Sequence, residues 1–525
     1  MTKKAFRGLF LVAFAGALLF RFVRLDVRPM HNDEANQAVK FGELLEHGEY
    51  VFDPQDHHGP TLYYLTLPAA WAAGARTLAG LDEFTLRAVP ALFGAGLLLL
   101  LLLYGGAISR EAALAAAVLA AISPALTYYS RFYIQETLLV FFLAALLGTG
   151  WRYARTRKAG WALAAGVSAG LMLATKETSL ILLAGLAAAF ALVAGLEVLH
   201  SRHGRVVPEG DAWVWRDQRL KMPAAFDIAL FVIAAAAVAA LFYSSFFRHP
   251  EGLVNAFRAV GASIARGTHP GVHAHPWSYY LRILADPGAS SGGPVRSEAF
   301  LVFLAVAGGI AAFGREAGHD ASPRFARFLL FFTLITGTIY SLIPYKTPWN
   351  VLPFYFGLVL LAGNGVALLM RISRSKIVHV AILVLLAPGF VNLGVQAYRA
   401  DFVDHSDPAN PYAYAPTSPD LLRLVDSVGR AAGASPEKKD LFIKVIAPPE
   451  ETWPLPWYLR AYGRVGYWTS PGPALAFTGL GEAAVIITSA GFADEVAANL
   501  GDAYEQTFYG LRPEVVLSLF IRRPL

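Results

Sequence analysis

Apolar residues run through this chain in blocks long enough to cross a lipid bilayer, and polar residues gather in the breaks between them. The runs fall at roughly 5–25, 86–108, 112–129, 134–151, 160–175, 178–199, 225–247, 298–314, 327–344, 350–370 and 377–397. They compare with the about 17–25 residues that a helix needs to traverse the hydrocarbon core. In lipid every backbone N–H and C=O must be paired within the protein, so each run is predicted to be a helix. The pattern predicts an all-α polytopic bundle of about eleven transmembrane helices over residues 1–397. Beyond residue 397 the pattern changes to short runs of soluble character. Residues 441–446, 484–488 and 515–522 alternate or cluster as strands do, and 419–432 and 492–500 have helical periodicity. A small C-terminal α/β domain over 398–525 is expected.

Basic clusters give the orientation. Lys3/Lys4/Arg7, Arg152/Arg155/Arg157/Lys158, Arg202/Arg205/Arg216/Arg219/Lys221, Arg315/Arg324/Arg327 and Arg371/Arg374/Lys376 all fall on one side of an eleven-span chain. By the positive-inside rule that side is the cytoplasm, which makes the N-terminus cytoplasmic and the C-terminal domain extracytoplasmic. Residues 26–60 hold eight acidic against two basic side chains, as an outward loop would. Outward loops are thus expected at 26–85 and 248–297, the second rich in Gly, Pro and His. Segment 60–74 is apolar enough to span, but counting it would put the Arg152–Lys158 cluster outside. It is read as a helix in the outer interface. Residues 5–25 are followed by no small-residue cleavage site and are read as an uncleaved first span.

Composition agrees with a membrane protein and narrows the chemistry. Of 525 residues, 56% are hydrophobic and 16% charged, against about a quarter charged in a soluble domain. The net charge of +6 lies in the loop clusters that set topology, which argues against nucleic acid as a partner. The chain has no cysteine, which excludes disulfides, thiolate metal sites and thiol catalysis. The expected setting is the plasma (inner) membrane, with membrane lipids as partners.

Five polar stretches fall at outward ends of apolar runs. They are Asp33-Glu34; Asp56-His57-His58-Gly-Pro60; Ser130-Arg131 followed by Glu136; Lys176-Glu177; and Lys346 within Tyr-Lys-Thr-Pro-Trp-Asn350. A charge at such a place costs a few kcal/mol unless it is paired or used. Arg131, Lys176 and Lys346 are cations at the depth where the phosphate of a lipid carrier would sit. A carboxylate such as Asp33 could take the proton of an acceptor hydroxyl. Each stretch also has a plainer reading: a solvated loop or helix cap for Asp33-Glu34, ion pairs for Arg131/Glu136 and Lys176/Glu177, an interfacial anchor for Lys346. His57-His58 and His269/His273/His275 offer histidines, but adjacent histidines ligate one ion poorly, and solvated loops are the favoured reading.

Taken together these stretches resemble the GT-C class of integral membrane glycosyltransferases, and within it the protein O-mannosyltransferase and aminoarabinose-transferase superfamily. Asp33-Glu34 matches that family's acidic motif in the first outward loop. His58-Gly-Pro-Thr-Leu resembles its His-x-Pro-Leu stretch, with a glycine at the family's first Pro position. Ser130-Arg131-Phe-Tyr-Ile-Gln-Glu136 matches its Ser-Arg turn with a later acid. His31-Asn-Asp-Glu-Ala, His57-His-Gly-Pro, Thr175-Lys-Glu, Tyr345-Lys-Thr-Pro-Trp-Asn and Trp453-Pro-Leu-Pro-Trp-Tyr-Leu-Arg460 look like the "flippase activity-associated" branch. The resemblance implies a polyprenyl-phosphate-linked sugar donor and an acceptor that is a protein, a lipid or a glycan. It implies inverting transfer with Asp33 as base and Glu34 beside it. Arg131, Glu136, Lys176, Glu177, Lys346, His57 and His58 would lie around the donor. No cofactor is obligatory on this reading, although oligosaccharyltransferase cousins use a divalent metal. The alternative is a non-catalytic protein that binds lipid-linked sugar or assists a flippase. Trp453–Arg460 is expected to dock the C-terminal domain onto the membrane part.

Overall fold

The computed structural model describes residues 1–55, 58–202, 223–269, 271–285, 296–314, 321–373, 375–477 and 482–523. The chain divides into two compact units, one of 1–23, 49–64 and 88–403, the other of 24–48, 65–87 and 404–525.

The first unit holds most of the apolar helices. Eight helices among the described residues are long and apolar enough to cross a membrane: Lys3–Phe22, Glu83–Tyr104, Glu136–Thr156, Ser179–Leu199, Ala225–Tyr243, Pro323–Leu342, Pro348–Leu369 and Lys376–Val403. The run at 112–129 is helical but broken. Arg110–Ile122 and Pro124–Ser130 meet at 57° and make a ninth span if counted as one. The break has a local cause: the Ser123 hydroxyl accepts a hydrogen bond from the Leu126 N–H, and Pro124 opens the new helix without an N–H to satisfy. Ala159–Leu173 and Ala299–Ala311 are helices of 15 and 13 residues. At about 1.5 Å per residue they fall short of the bilayer's about 30 Å core. All eleven apolar runs are therefore helical, but eight or nine, not eleven, have spanning length.

Helices in lipid gain little from burying apolar surface, so close packing of small residues decides where they touch. Helices Ala299–Ala311 and Leu352–Leu369 show this. A Cβ on Gly308 would lie 1.9 Å from the Leu361 carbonyl oxygen, and one on Gly365 would lie 2.1 Å from that of Leu304. Only glycine allows this backbone approach. The expected outward loop at 248–297 is more ordered than its Gly, Pro and His content implied, since it contains the 18-residue helix Glu251–Thr268 and the short helix Tyr279–Ala285. Thr61–Ala72 has 12 residues, about 18 Å of helix, too short to cross.

The second unit is built on a five-stranded sheet. Its strands are β1 (Phe442–Ile446), β2 (Arg464–Trp468), β3 (Val485–Ser489), β4 (Tyr504–Arg512) and β5 (Val515–Arg522), in the order β2-β1-β3-β5-β4. β1 pairs in parallel with β2 and β3, while β5 runs antiparallel to β3 and β4. Alternation assigns the two faces. Ile443, Val445, Ile487 and Leu519 pack with Leu424 and Val428 of helix Asp420–Ala434. Phe442, Ile446, Ile486 and Phe520 pack with Val496 of helix Ala493–Leu500. Burial on both faces makes β1 and β3 rich in Val and Ile, which is why the sequence displays them; Lys444 interrupts β1 and donates to the carbonyls of Ala474 and Phe477. β2 and β4 are the edge strands, half exposed and interrupted by Gly466 and by Glu505-Gln506. The hydrophobic pattern does not reveal them.

Gly308→Leu is expected to lower the thermal unfolding midpoint of the detergent-solubilised protein through overpacking of about 1–3 kcal/mol. Gly8→Leu, where nothing lies within 4 Å of the new Cβ, should leave the midpoint near wild type.

Candidate active site

The acidic stretch lies in the second unit at the start of helix Asn32–His47. His31 is its N-cap. The imidazole Nδ1 accepts the Asp33 N–H at 3.1 Å, and the Glu34 carboxylate returns a bond to the His31 N–H at 3.0 Å, closing a capping box. With Nδ1 accepting, the His31 proton sits on Nε2, which faces the Tyr414 carbonyl oxygen at 2.9 Å. The helix ends at Gly48, whose left-handed φ of 74° lets its N–H reach the Leu44 carbonyl.

The two acids divide sharply in environment. Glu34 is fully buried between two guanidinium groups. Arg87 Nε and Nη2 donate to its two oxygens at 2.8 and 3.0 Å, and Arg28 Nη2 lies 2.9 Å away. Arg87 also donates to the carbonyls of Leu25, Arg28 and Pro29. Burial alone would push the Glu34 carboxyl up, but Arg28 and Arg87 hold it down at about 2. Both oxygens of the Glu34 carboxylate are therefore taken up by protein cations, and the group stays ionised near neutrality. Asp33 follows the N-cap by two residues and is partly exposed. Among the described residues no side chain is hydrogen-bonded to its carboxylate. Its charge adds to the effect of burial in raising the Tyr414 phenol.

The C-terminal part of this unit grips the same stretch. The Tyr458 hydroxyl accepts the Met30 N–H at 2.8 Å, and the Thr417 hydroxyl donates to the Met30 carbonyl at 2.8 Å. Trp457 Nε1 donates to Glu83 at 2.8 Å, while Arg460, stacked on the Trp457 ring at 3.6 Å, donates to the Leu81 carbonyl. The Trp453–Arg460 string thus fastens the C-terminal segment to the loops around Met30 and Leu81. Tyr414 and Thr417 escaped the sequence reading, because isolated hydroxyl and aromatic residues carry no pattern, whereas Tyr458 lies within the Trp453–Arg460 string.

The other candidates lie in the first unit. Lys176 pairs with Glu136, and its ammonium also approaches Asn350 Oδ1 at 3.4 Å. His58 Nδ1 lies 2.9 Å from Glu177 Oε2. Burial would raise the Glu177 carboxyl, but His58, a backbone N–H and Lys176 hold it below the usual carboxylate value. Glu136 Oε2 and Glu177 Oε1 are buried and accept no hydrogen bond among the described residues. Residues 58–61 and 174–177 are packed together. Thr61 Oγ1 and Thr175 Oγ1 are 2.7 Å apart, and a Cβ on Gly59 would lie 2.1 Å from the Ala174 carbonyl oxygen. This approach explains the glycine between His58 and Pro60. Lys346 donates to the carbonyls of His275, at 3.0 Å, and Ile343, and burial lowers its ammonium.

Arg131 is engaged by the end of the first helix. Its Nη1 donates to the carbonyls of Phe20, Arg21 and Val23 at 2.9, 3.3 and 2.8 Å, and its guanidinium lies 4.7 Å from the Phe402 ring centre. It closes the carboxyl end of helix Lys3–Phe22, where carbonyls lack helical partners. Arg131 and Glu136 therefore do not form the ion pair that their spacing allows. His57 lies outside the described residues. Among the described residues no group of three or more His, Cys, Asp or Glu could hold a metal ion. His273 and His275 instead pack on the Tyr345 and Tyr279 rings.

A family model for dolichyl-phosphate-mannose-protein mannosyltransferase matches residues 16–246, a stretch that includes every candidate except Lys346. No curated protein matches the chain. Among solved structures, ArnT from Cupriavidus metallidurans bound to undecaprenyl phosphate has a TM-score of 0.59 at 15% identity, over 99% of this chain and 98% of that one. AglB, the oligosaccharyltransferase from Archaeoglobus fulgidus, in complex with an inhibitory peptide and a dolichol-phosphate, has a TM-score of 0.51 at 16% identity, over 96% of this chain and 73% of that one. The same archaeal enzyme tethered to an acceptor peptide has 0.53 at 15% identity, over 97% and 74%. At these identities the likeness is one of fold. The "flippase activity-associated" branch finds no support in these comparisons.

Glu34→Gln is expected to remove about 3–5 kcal/mol by leaving two buried arginines without their anion. Because the folded pKa lies below the ordinary 4.5, the ionised carboxylate stabilises fully above about pH 4.5. That stabilisation is lost as pH falls toward 2. Chemical unfolding across this window should show a smaller loss of stability on acidification in Glu34→Gln than in wild type.

Proposed function

From a chain with the fold of the GT-C superfamily of membrane glycosyltransferases, we propose that it moves a sugar from a polyprenyl-phosphate donor to an acceptor on the extracytoplasmic side of the plasma membrane. The observation that carries this reading is the state of Asp33: a partly exposed carboxylate at a helix N-terminus, without a hydrogen-bonded side chain among the described residues, on a backbone fixed by the buried Glu34–Arg87 pair. A general base needs this combination of open lone pairs and a fixed position.

Asp33 takes the proton of an acceptor hydroxyl. The hydroxyl oxygen bonds to the anomeric carbon while the carbon–oxygen bond to the phosphate breaks. Polyprenyl phosphate leaves with the bonding electrons, and a single displacement inverts the anomeric centre. Positive charge near the departing phosphate lowers the barrier. Lys176 and Lys346 suit that task, since an ammonium has three N–H groups and each lysine has two protein acceptors here. Arg131 serves the helix end instead. Glu136, Glu177 and His58 set the charge and position of Lys176, with the free oxygens of both carboxylates able to accept sugar hydroxyls. The donor class draws support from the lipid phosphates held by ArnT and AglB. The N-terminus is cytoplasmic and the 398–525 domain extracytoplasmic, as the basic clusters direct.

Purified protein given polyprenyl-phosphate-linked hexoses and a hydroxyl acceptor is expected to release polyprenyl phosphate. Phosphorus NMR reads the release, and proton NMR reads the configuration of the product, which should be inverted. Retention, or no release from any donor, would overturn the reading.

A further inference from the structure

Helix Glu251–Thr268 has a task that the transfer chemistry does not use. Its residues sort by face. Val254, Phe257, Gly261 and Ile264, spaced three, four and three apart, share one side. Val254, Phe257 and Ile264 are 54%, 81% and 63% exposed. Asn255, Arg258, Ala262 and Arg266 share the neighbouring side, with both arginines exposed. Gly252 and Ala259 form the face turned into the protein. Most of the apolar side therefore points away from the unit that carries it.

Its two ends fix its level. At the start, a Cβ on Gly252 would lie 1.9 Å from the carbonyl oxygen of Tyr243, the last residue of helix Ala225–Tyr243. Near the far end, a Cβ on Gly267 would lie 3.6 Å from Ile343 Cγ2, the residue that follows helix Pro323–Leu342. Both span ends lie on the side of the 173–177 turn, for the Tyr243 hydroxyl donates to the Leu173 carbonyl at 2.9 Å and Lys176 reaches Asn350, seven residues beyond Ile343. A helix of 18 residues, about 27 Å long, thus runs from one span end to another on a single side of the bundle. The aromatic residues Phe242, Tyr243, Phe246 and Phe247 beside its start are the kind that collect at the membrane–water boundary.

We infer that Glu251–Thr268 is an interfacial helix whose Val254/Phe257/Ile264 face inserts among the lipids on that side of the membrane, with Arg258 and Arg266 at the headgroups. Amphipathic helices of this kind seat their apolar face about 5–10 Å into the headgroup–acyl boundary. Lipid is the occupant because the apolar face is continuous with the ends of two spans, and the neighbouring side carries Arg258 and Arg266 at headgroup level. The inference does not depend on the proposed reaction.

The chain has no cysteine, so single labelling sites can be introduced directly. Phe257→Cys, Ile264→Cys, Arg258→Cys and Arg266→Cys would each be spin-labelled in the full-length protein, in nanodiscs of phosphatidylcholine and phosphatidylglycerol. Collision with oxygen, which concentrates in lipid, would be compared with collision with a water-soluble nickel chelate. The ratio is expected to favour oxygen at 257 and 264 and to invert at 258 and 266. Nickel access at all four positions would place the helix in water, and loss of access to both reagents at 257 and 264 would mean that protein covers the face. Either result overturns the inference.

Discussion

The buried carboxylate of Glu34, held between Arg28 and Arg87, is the constraint on which the acidic loop depends. Removing three charges from water costs several kcal/mol per ion, and only near-complete pairing offsets that. Here the pairing is nearly complete: both Glu34 oxygens are engaged, and Arg87 also bonds the carbonyls of Leu25, Arg28 and Pro29. The cluster draws the end of the first apolar run, the acidic helix and the start of helix Glu83–Leu100 into one rigid corner. Met30, bracketed by Tyr458 and Thr417, extends that corner to the C-terminal segment of the same unit. The value of such a cluster is conformational uniqueness more than stability, and here the uniqueness is that of the backbone under Asp33.

Glu34 and Asp33 are neighbours in opposite settings. The helical turn points Glu34 at the arginines and leaves Asp33 half open, so one acid is consumed in fixing the other. The first unit shows the same economy among its cations. Arg131 closes a helix end and Lys176 carries a carboxylate partner, so positive charge near the proposed phosphate site is already balanced by protein. A ligand phosphate there would compete with Glu136 and with backbone carbonyls, rather than meet bare charge.

Much of this was legible in the sequence. The eleven apolar runs became helices because lipid leaves the backbone no alternative, and β1, β3 and β5 stood out through burial. What stayed hidden has physical reasons. Two of the helices are shorter than the bilayer core, which the runs do not reveal, since hydropathy measures composition and not where a helix caps. The edge strands β2 and β4 carry no apolar alternation. The amphipathic helix at 251–268 was masked by the Gly, Pro and His residues that follow it. Asp33-Glu34 was recognisable as a charged pair, but no sequence pattern separates a carboxylate bound for two arginines from one left open. Arg87, buried in an apolar helix and decisive for that separation, gave no local signal of its partner 53 residues earlier.

The assignment of the base to Asp33 is tested most directly by turnover and stability measured on the same preparation of Asp33→Asn. Loss of a positioned general base lowers the rate by about 10²–10⁴-fold, while donor binding and the unfolding midpoint should stay near wild type, because the Glu34 cluster is untouched. Wild-type turnover in Asp33→Asn would contradict the account.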